Sequence, residues 1–161
     1  MLIAATLMGA FALRPKGSLA EAEKPAPKLE QMVKDLGMPY KAYDDGSFVV
    51  AFSVDDTGPT NIVIGESAMG KENTLKVITF SALIQEGSKD KKVSPEAMGV
   101  ITSFDYQTDI GRVGVDDKNN VWYQSSLWES TLNSENLTYE LCFAHVNQQK
   151  LQKKLKAIEE G

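Results

Sequence analysis

The sequence predicts an α+β domain, in which an antiparallel sheet of about five strands packs with three helices in the order α-β-β-β-α-β-β-α. The strands are indicated by apolar side chains at every second position and by short polar turns between the segments. The first three strands follow one another closely, which predicts an antiparallel meander, and the last two flank a polar turn, which predicts a hairpin. The predicted strands are residues 48–54, 61–65, 74–83, 112–116 and 121–127.

Two shorter helices are indicated by their end signals. The first begins near Lys28 and ends at Gly37, because glycine readily adopts the left-handed conformation that follows a helix. The second begins after Ser94, a residue type that caps helix N-termini, with Pro95 at the first helical position. We expect this second helix to end at about Phe104.

The last helix gives the strongest single signal in the chain. Ser134 can cap it, and apolar residues then recur at alternating spacings of four and three over roughly 25 residues, or about 38 Å. The predicted strands span only about 20–30 Å, so we expect the helix to overhang the sheet and offer an apolar seam to a second chain. The alternative, that the whole seam packs within its own domain, stays open. The candidate self-association residues are Leu141, Leu151, Leu155 and Ile158.

Residues 1–22 differ in character from the rest of the chain. An apolar run over residues 2–13 has the length of the hydrophobic part of a signal peptide, and residues 20–22 offer a small-x-small cleavage site. We expect a signal peptide and a periplasmic or secreted protein. The alternatives are an uncleaved anchor, which would hold the protein at the inner membrane through residues 2–13, and a helix of the core. Residues 23–27 then form a linker, and a single domain covers residues 28–161.

The composition argues against several partners and cofactors. The chain has 161 residues and a formal net charge of −5 at pH 7, without a basic stripe that could follow a phosphate backbone, so nucleic acid is not an expected partner. Cys142 and His145 lie three residues apart, but no other cysteine or histidine exists to complete a zinc site. We expect no metal and no cofactor, and a membrane contact only through an uncleaved N-terminal segment.

Catalytic motifs occur only in fragments. Residues 65–71 have the glycine and lysine spacing of a phosphate-binding loop, but Glu72 replaces the magnesium ligand and a strand follows where a helix has to begin. Residues 116–120 are spaced as in a calcium loop, but a lysine occupies a ligand position. We therefore expect no enzyme. A carboxylate site built from the acidic turns at residues 44–45 and 55–56 stays as an alternative.

The second strand of the predicted hairpin carries a cluster of aromatic residues. Trp122 and Trp128 share one face of this strand, whereas Val121, Tyr123 and Leu127 lie on the other. Large apolar groups on both faces predict either a helix on each side of the sheet or a partner on one side. Trp122 and Trp128 are therefore the candidate partner-surface residues, with packing in the core or against neighbouring strands as the alternative.

Three short segments occur in a characteristic order: a helix ending at residue 37, a strand at residues 46–52, and the motif Gly-Arg-x-x-x-Asp at residues 111–116 before the last helix. In these segments and in the order of its elements, the chain resembles, over residues 28–158, the bacterial YbjN-like domains, whose fold is similar to that of the type III secretion chaperones. The resemblance implies an α+β domain, often dimeric, that binds other proteins through its sheet and helices and has no catalytic residues.

These observations together predict a non-enzymatic protein-binding domain, chaperone-like or regulatory, that is exported in a bacterium and forms a homodimer. Its protein partner is not indicated by the sequence. Two alternatives stay open. A small apolar ligand or lipid could occupy a cavity behind the three-strand meander of a cell-envelope protein. An enzyme could instead use two carboxylates that converge in a cleft.

Overall fold

The computed structural model of the chain describes residues 27–55, 57–69, 75–88 and 92–160. The expected signal peptide or anchor at residues 1–22 lies outside the described residues. The expected linker lies outside them as well, except for Pro27, which begins the first helix. None of the helices described has both the length and the apolar character that a membrane span requires.

The described residues form three α-helices and six strands, which confirms the predicted α+β class and adds one strand to the expected five. The helices are α1 (Pro27–Asp35), α2 (Pro95–Gln107) and α3 (Ser134–Glu160). The strands are β1 (Tyr40–Ala42), β2 (Phe48–Phe52), β3 (Thr60–Met69), β4 (Leu75–Gln85), β5 (Arg112–Val115) and β6 (Val121–Trp128). All six pair antiparallel in one sheet, in the order β1-β2-β3-β4-β6-β5, so the predicted meander and hairpin are both confirmed.

The additional strand, β1, is short and lies at one edge of the sheet. It pairs with β2 through three residues, from Tyr40 opposite Val50 to Ala42 opposite Phe48. The turn that joins the two strands depends on Gly46, whose φ of +83° is costly for any residue with a Cβ. This turn folds β2 back onto β1, the strand that follows α1.

The β3–β4 hairpin is longer than the sequence predicted. Pairing continues beyond Gly65 to the pair of Met69 with Leu75, and Lys76 forms a salt bridge to Glu66 at 2.9 Å. With 10 and 11 residues, β3 and β4 each extend to about 33–37 Å. The central strands therefore nearly match the last helix in length.

Helix α3 has 27 residues and a length of about 40 Å, and its apolar seam is buried in the chain itself. Leu141 and Leu151 have no exposed surface, Leu155 is 3% exposed, and Ile158 is partly buried against the same core. The expected overhang is not observed: the C-terminal half of α3 lies against the last residues of β4, where the side-chain amide of Gln85 donates a hydrogen bond to Oε1 of Glu159 at 2.8 Å. The three leucines are thus covered by their own domain, which is the alternative that the sequence left open. Self-association through this helix stays a prediction that rests on Ile158.

Two helix N-termini show how local sequence sets the element boundaries. The Oγ atom of Ser94 accepts a hydrogen bond from the amide of Ala97 at 3.1 Å, so the predicted cap of α2 is confirmed. The predicted cap of α3 is wrong by one residue. The Oδ1 atom of Asn133 accepts from the amide of Asn136 at 2.8 Å, whereas Ser134 already lies in the first turn.

All three helices contribute to one buried cluster on a single face of the sheet. Leu29 of α1, Ile101 of α2 and Leu141 of α3 belong to this cluster, together with Ile78 and Phe80 of β4. Side chains alternate between the two faces of a strand, so the neighbours of Ile78 and Phe80 along β4 point away from the helices. We call these two faces the inner face and the outer face of the sheet. No helix among the described residues covers the outer face.

Candidate protein-binding surfaces

The outer face carries a group of large apolar side chains at one end of the sheet. Residues that oppose each other in an antiparallel pair point to the same face, and two such pairs meet here: Val77 with Trp128, and Leu75 with Met69. Val77 is buried, whereas Met69, Leu75 and Trp128 are 50%, 49% and 49% exposed. These four residues form what we call the outer apolar patch.

The strip of sheet beside this patch is made of small side chains. One residue row further along, Gly65 of β3, Thr79 of β4 and Ser126 of β6 are aligned on the same outer face. A Cβ added at Gly65 would meet no atom within 4 Å, so the described residues leave the space directly above this glycine open. An extended segment of another protein could therefore lie close to the sheet here and place its apolar side chains on the patch.

Trp122 lies on the same face as Trp128 but belongs to a different environment. It opposes Leu83 and Gly114, at the other end of β6 and about 20 Å from Trp128. Its indole N–H donates a hydrogen bond to Oδ2 of Asp116 at 3.1 Å, and its ring is half buried. Of the two predicted partner-surface tryptophans, only Trp128 belongs to the outer apolar patch, whereas Trp122 is held in place by the hairpin turn.

Asp116 organises that hairpin turn. Its Oδ1 accepts hydrogen bonds from the amides of Lys118 and Asn120, both at 2.8 Å, and Asn119 adopts a φ of +64°. Burial alone would raise the pKa of Asp116, but hydrogen bonds from Asn120, Trp122 and Lys118 together hold the pKa below its usual value of 3.8. The carboxylate is therefore committed to the turn, in agreement with the reading of these residues as a turn rather than a calcium loop.

A second surface lies between α2 and α3 on the opposite side of the molecule. The chain turns away after α2 and leaves a groove with a volume of about 720 Å³, which we call the α2–α3 groove. Phe143 and Val146 of α3 line it and are each 37% exposed, and Phe104 contributes from α2. Three lysines of α3 line its other end: Lys150, Lys153 and Lys154.

His145, the single histidine of the chain, is 2% exposed and joins α3 to the segment before β3. The hydroxyl of Thr57 lies 2.8 Å from Nε2 and that of Thr60 lies 2.8 Å from Nδ1. These hydroxyls also donate to the carbonyl of Val54 and to Oε1 of Gln148. Only a charged ring, with a proton on each nitrogen, satisfies all four links, because each hydroxyl has a single proton to donate.

Burial works against that charged form. Desolvation lowers the pKa of His145 from its usual value of 6.5, so the neutral ring predominates at pH 7. One of the four hydrogen bonds is then lost, because neither the carbonyl of Val54 nor Oε1 of Gln148 can donate in return. Neither Thr57 nor Thr60 is an acid that could orient the ring for catalysis. His145 is therefore packed in the interior, and its hydrogen bonds make it a polar anchor of α3.

A second, partly buried polar contact links α3 to β6. The hydroxyl of Ser125 donates to Oε2 of Glu140 at 2.6 Å. Burial raises the pKa of Glu140 above 4.5, although the bond from Ser125 acts in the opposite direction. Among the described residues, no second carboxylate contributes to the raised pKa of Glu140.

The described residues contain no group of three or more histidine, cysteine, aspartate or glutamate side chains that could hold a metal ion. The acidic turns also show no convergence. Asp45 accepts hydrogen bonds from the amide and hydroxyl of Ser47, and Asp44 and Asp55 are exposed on separate turns. Asp56 lies outside the described residues.

Several of the residues that form these surfaces were not predicted from the sequence. Met69 and Leu75 are brought beside Trp128 by strand register, which no local pattern specifies. The groove residues Phe143 and Val146 lie three apart on α3, and Tyr139 lies four residues before Phe143. This second apolar spacing beside the main seam was the sequence signal that could have identified them.

The comparisons with known proteins bear on the fold. No protein-family model and no curated protein matches the sequence. Among solved structures, a chain in the structure of the HopA1–SchA chaperone–effector complex is similar to this one, with a TM-score of 0.51 and 13% sequence identity. The match covers 78% of this chain and 90% of that chain. The protein therefore has a fold similar to that of a chain in a chaperone–effector complex.

Proposed function

We propose that this protein is a non-enzymatic, chaperone-like domain that binds another protein through the outer apolar patch. The observation that carries the proposal is the position of Met69, Leu75 and Trp128, each about half exposed, on a sheet face that no described helix covers. Contiguous exposed apolar groups of this kind mark interaction sites, and tryptophan is among the residues that contribute most to interfaces. The similarity in fold to a chain of a chaperone–effector complex supports the same class of function.

The energetics indicate that the patch acts together with its surroundings. Complete burial of a large apolar side chain contributes about 1.5–3 kcal/mol, and Met69, Leu75 and Trp128 are already half buried. The three together therefore contribute about 2–5 kcal/mol, which is comparable to the lower limit of the entropic cost of association, about 4 kcal/mol. A stable complex needs further contacts, which the adjacent row of Gly65, Thr79 and Ser126 can supply through close approach.

A photo-crosslinking experiment tests the proposal. A benzophenone side chain replaces Trp128 in one variant and Tyr106 in the control, because Tyr106 is an exposed aromatic residue on α2, away from the patch. We expect a discrete crosslinked protein at position 128 that is absent at position 106. The affinity of the purified partner for Trp128→Ser should then fall by about thirtyfold, as is typical of an interface hot spot.

Two results would contradict the proposal. One is the same set of adducts at both positions, since this would show that the probe reports random collisions. The other is an unchanged affinity of the crosslinked partner for Trp128→Ser, with circular dichroism showing that the variant is folded.

We also propose three further properties of the protein, which the sequence suggests. They are membership of the YbjN-like domains, export by residues 1–22, and formation of a homodimer. The N-terminal sequence of the protein purified from its own cells tests export, because cleavage after residue 22 leaves Glu23 first. Light scattering tests the homodimer, and Ile158→Asp should reduce a dimer mass to that of the monomer if α3 forms the interface.

A further inference from the structure

The α2–α3 groove combines apolar and basic side chains in separate halves. Along α3, Phe143, Val146 and Lys150 follow one another at spacings of three and four, so they lie on one helical face. Phe143 and Val146 occupy the first half of the groove, where Ile110 faces them and is also 37% exposed. The second half contains Lys150, Lys153 and Lys154, so polarity changes from one end of the groove to the other.

The local charge of the groove is opposite to that of the chain. The whole chain has a formal net charge of −5, whereas three lysines and a single acid, Asp109, line this groove. None of the three lysines forms a salt bridge to a residue in the part of the chain that the structure describes. The Nζ atom of Lys154 lies 5.4 Å from the ring centre of Phe104, which holds this charge over the groove.

The helix dipole does not account for this basic cluster. Cations stabilise the C-terminal end of a helix only within the last turn, and α3 ends at Glu160. Lys150 precedes that end by ten residues, or about 15 Å, and Lys153 and Lys154 also lie outside the last turn. The position of these lysines therefore calls for another explanation, which the adjoining apolar half of the groove supplies.

We propose that the α2–α3 groove binds an acidic, amphipathic segment of a partner protein. The apolar side chains of this segment cover Phe143 and Val146, and its carboxylates pair with Lys150, Lys153 and Lys154. An extended groove between two helices is a common binding site for an amphipathic helix. A membrane surface is a poorer fit, because the apolar side chains line a concavity rather than project from the protein. This inference is independent of the outer apolar patch, so either can fail without the other.

Binding of designed peptides to the full chain tests the inference. The probe is a fluorescently labelled amphipathic helix with leucines on one face and glutamates beside them. Two control peptides keep the leucines but replace every glutamate by glutamine or by lysine. We expect fluorescence anisotropy to show saturable binding of the glutamate peptide, about tenfold or more tighter than either control, with an affinity that falls as salt is added.

Matched protein variants locate the binding. The double variant Lys150→Glu/Lys153→Glu should lose about tenfold or more in affinity for the glutamate peptide, and Val146→Glu should lose a similar factor. Lys156→Glu is the control, because Lys156 lies on the same helix but does not line the groove. Its affinity should stay within about twofold of the unaltered chain, and thermal unfolding should show that all variants are folded.

Three outcomes would overturn the inference. The first is absence of saturable binding of the glutamate peptide to the unaltered chain. The second is an equal loss of affinity in Lys156→Glu and in the double variant, which would indicate a general effect of charge. The third is stronger binding to vesicles of phosphatidylglycerol and phosphatidylcholine that the glutamate peptide fails to displace, which would make the groove a membrane-binding surface.

Discussion

Replacement of Gly87 by alanine should weaken the contact between the end of β4 and the β5–β6 turn. A Cβ at position 87 would lie 2.6 Å from the amide nitrogen of Asn120 and closer still to the carbonyl group of Asn119. Both are backbone atoms of the turn, so the clash is relieved only if one segment moves away from the other. The amide of Gly87 also donates to Oδ1 of Asn120 at 2.7 Å, and this bond requires the close approach.

The magnitude follows from these contacts. A normal carbon contact of about 3.4 Å requires the two segments to separate by about 1 Å, which lengthens the bond from Gly87 to Asn120 beyond hydrogen-bonding distance. Asn120 is buried, so its carbonyl oxygen loses a partner at a cost of about 1–3 kcal/mol, and the displacement adds about 1–3 kcal/mol of strain. The reduced entropy of the unfolded alanine variant offsets about 0.4–1 kcal/mol. We expect a net loss of about 3 kcal/mol.

Urea unfolding followed by tryptophan fluorescence measures this loss. Gly99→Ala is the matched control, because Gly99 lies within α2 and a Cβ there would contact nothing within 4 Å. The same substitution should stabilise the protein at this position by about 0.5–1 kcal/mol, since alanine favours helix. A loss of less than about 1 kcal/mol in Gly87→Ala would refute the close approach of the two segments.

Three further predictions concern a helix cap, the buried His145 and the partly buried Glu140. Asn133→Ala should lower the free energy of unfolding by about 1 kcal/mol in urea, whereas Ser134→Ala should change it little, because Asn133 holds the cap of α3. The lowered pKa of His145 means that the unfolded chain binds its proton more readily. Stability should therefore be complete above pH 6.5 and decline as pH falls towards the pKa of the folded state, a slope that His145→Gln removes. The raised pKa of Glu140 acts in the opposite sense: its contribution to stability should rise as pH falls through the folded-state pKa towards 4.5, and Glu140→Gln should remove this rise.

Each of these predictions has an outcome that would contradict it. Equal losses in Asn133→Ala and Ser134→Ala would show that the cap is shared. An unchanged pH dependence of urea unfolding in His145→Gln would mean that other groups titrate in the same range. If Glu140→Gln lowers stability at pH 7 by several kcal/mol, the ionised carboxylate stabilises the fold, in contradiction to the burial that raises its pKa.

The sequence predicted those elements whose signals are local and repeated. The alternation in β2 extends over enough residues to define a strand, and Ser94 with Pro95 defined the start of α2. Three residues of β1 carry no periodicity, so Tyr40–Ala42 was missed. The true length of β3 was also missed, because the residues after Gly65 are held by pairing with β4 rather than by a pattern of their own.

The expected overhang of α3 rested on a predicted β4 that ended two residues too early, at Leu83 rather than Gln85. A helix that is longer than its sheet has to expose part of its seam, and this inference was correct in its physics but rested on strands that were too short. In the structure Leu155 lies beside Leu83, Ile84 and Gln85 at this end of the sheet, and Leu151 belongs to the buried cluster, so neither is exposed. Trp128 could be placed on one face of β6 from parity alone, but its neighbours Met69 and Leu75 depend on the register of three strands.

The Gly-Arg-x-x-x-Asp motif at residues 111–116, the most distinctive part of the resemblance to the YbjN-like domains, has a structural role. Gly111 has a φ of +83°, and a Cβ there would lie 2.6 Å from the hydroxyl oxygen of Tyr123, so only glycine fits. Asp116, at the other end of the motif, is occupied by the hairpin turn. Neither residue belongs to the outer apolar patch or to the α2–α3 groove. The motif therefore specifies how the β5–β6 hairpin is built. Under the proposed function, the choice of partner depends on exposed side chains such as Trp128 and Lys150 rather than on this motif.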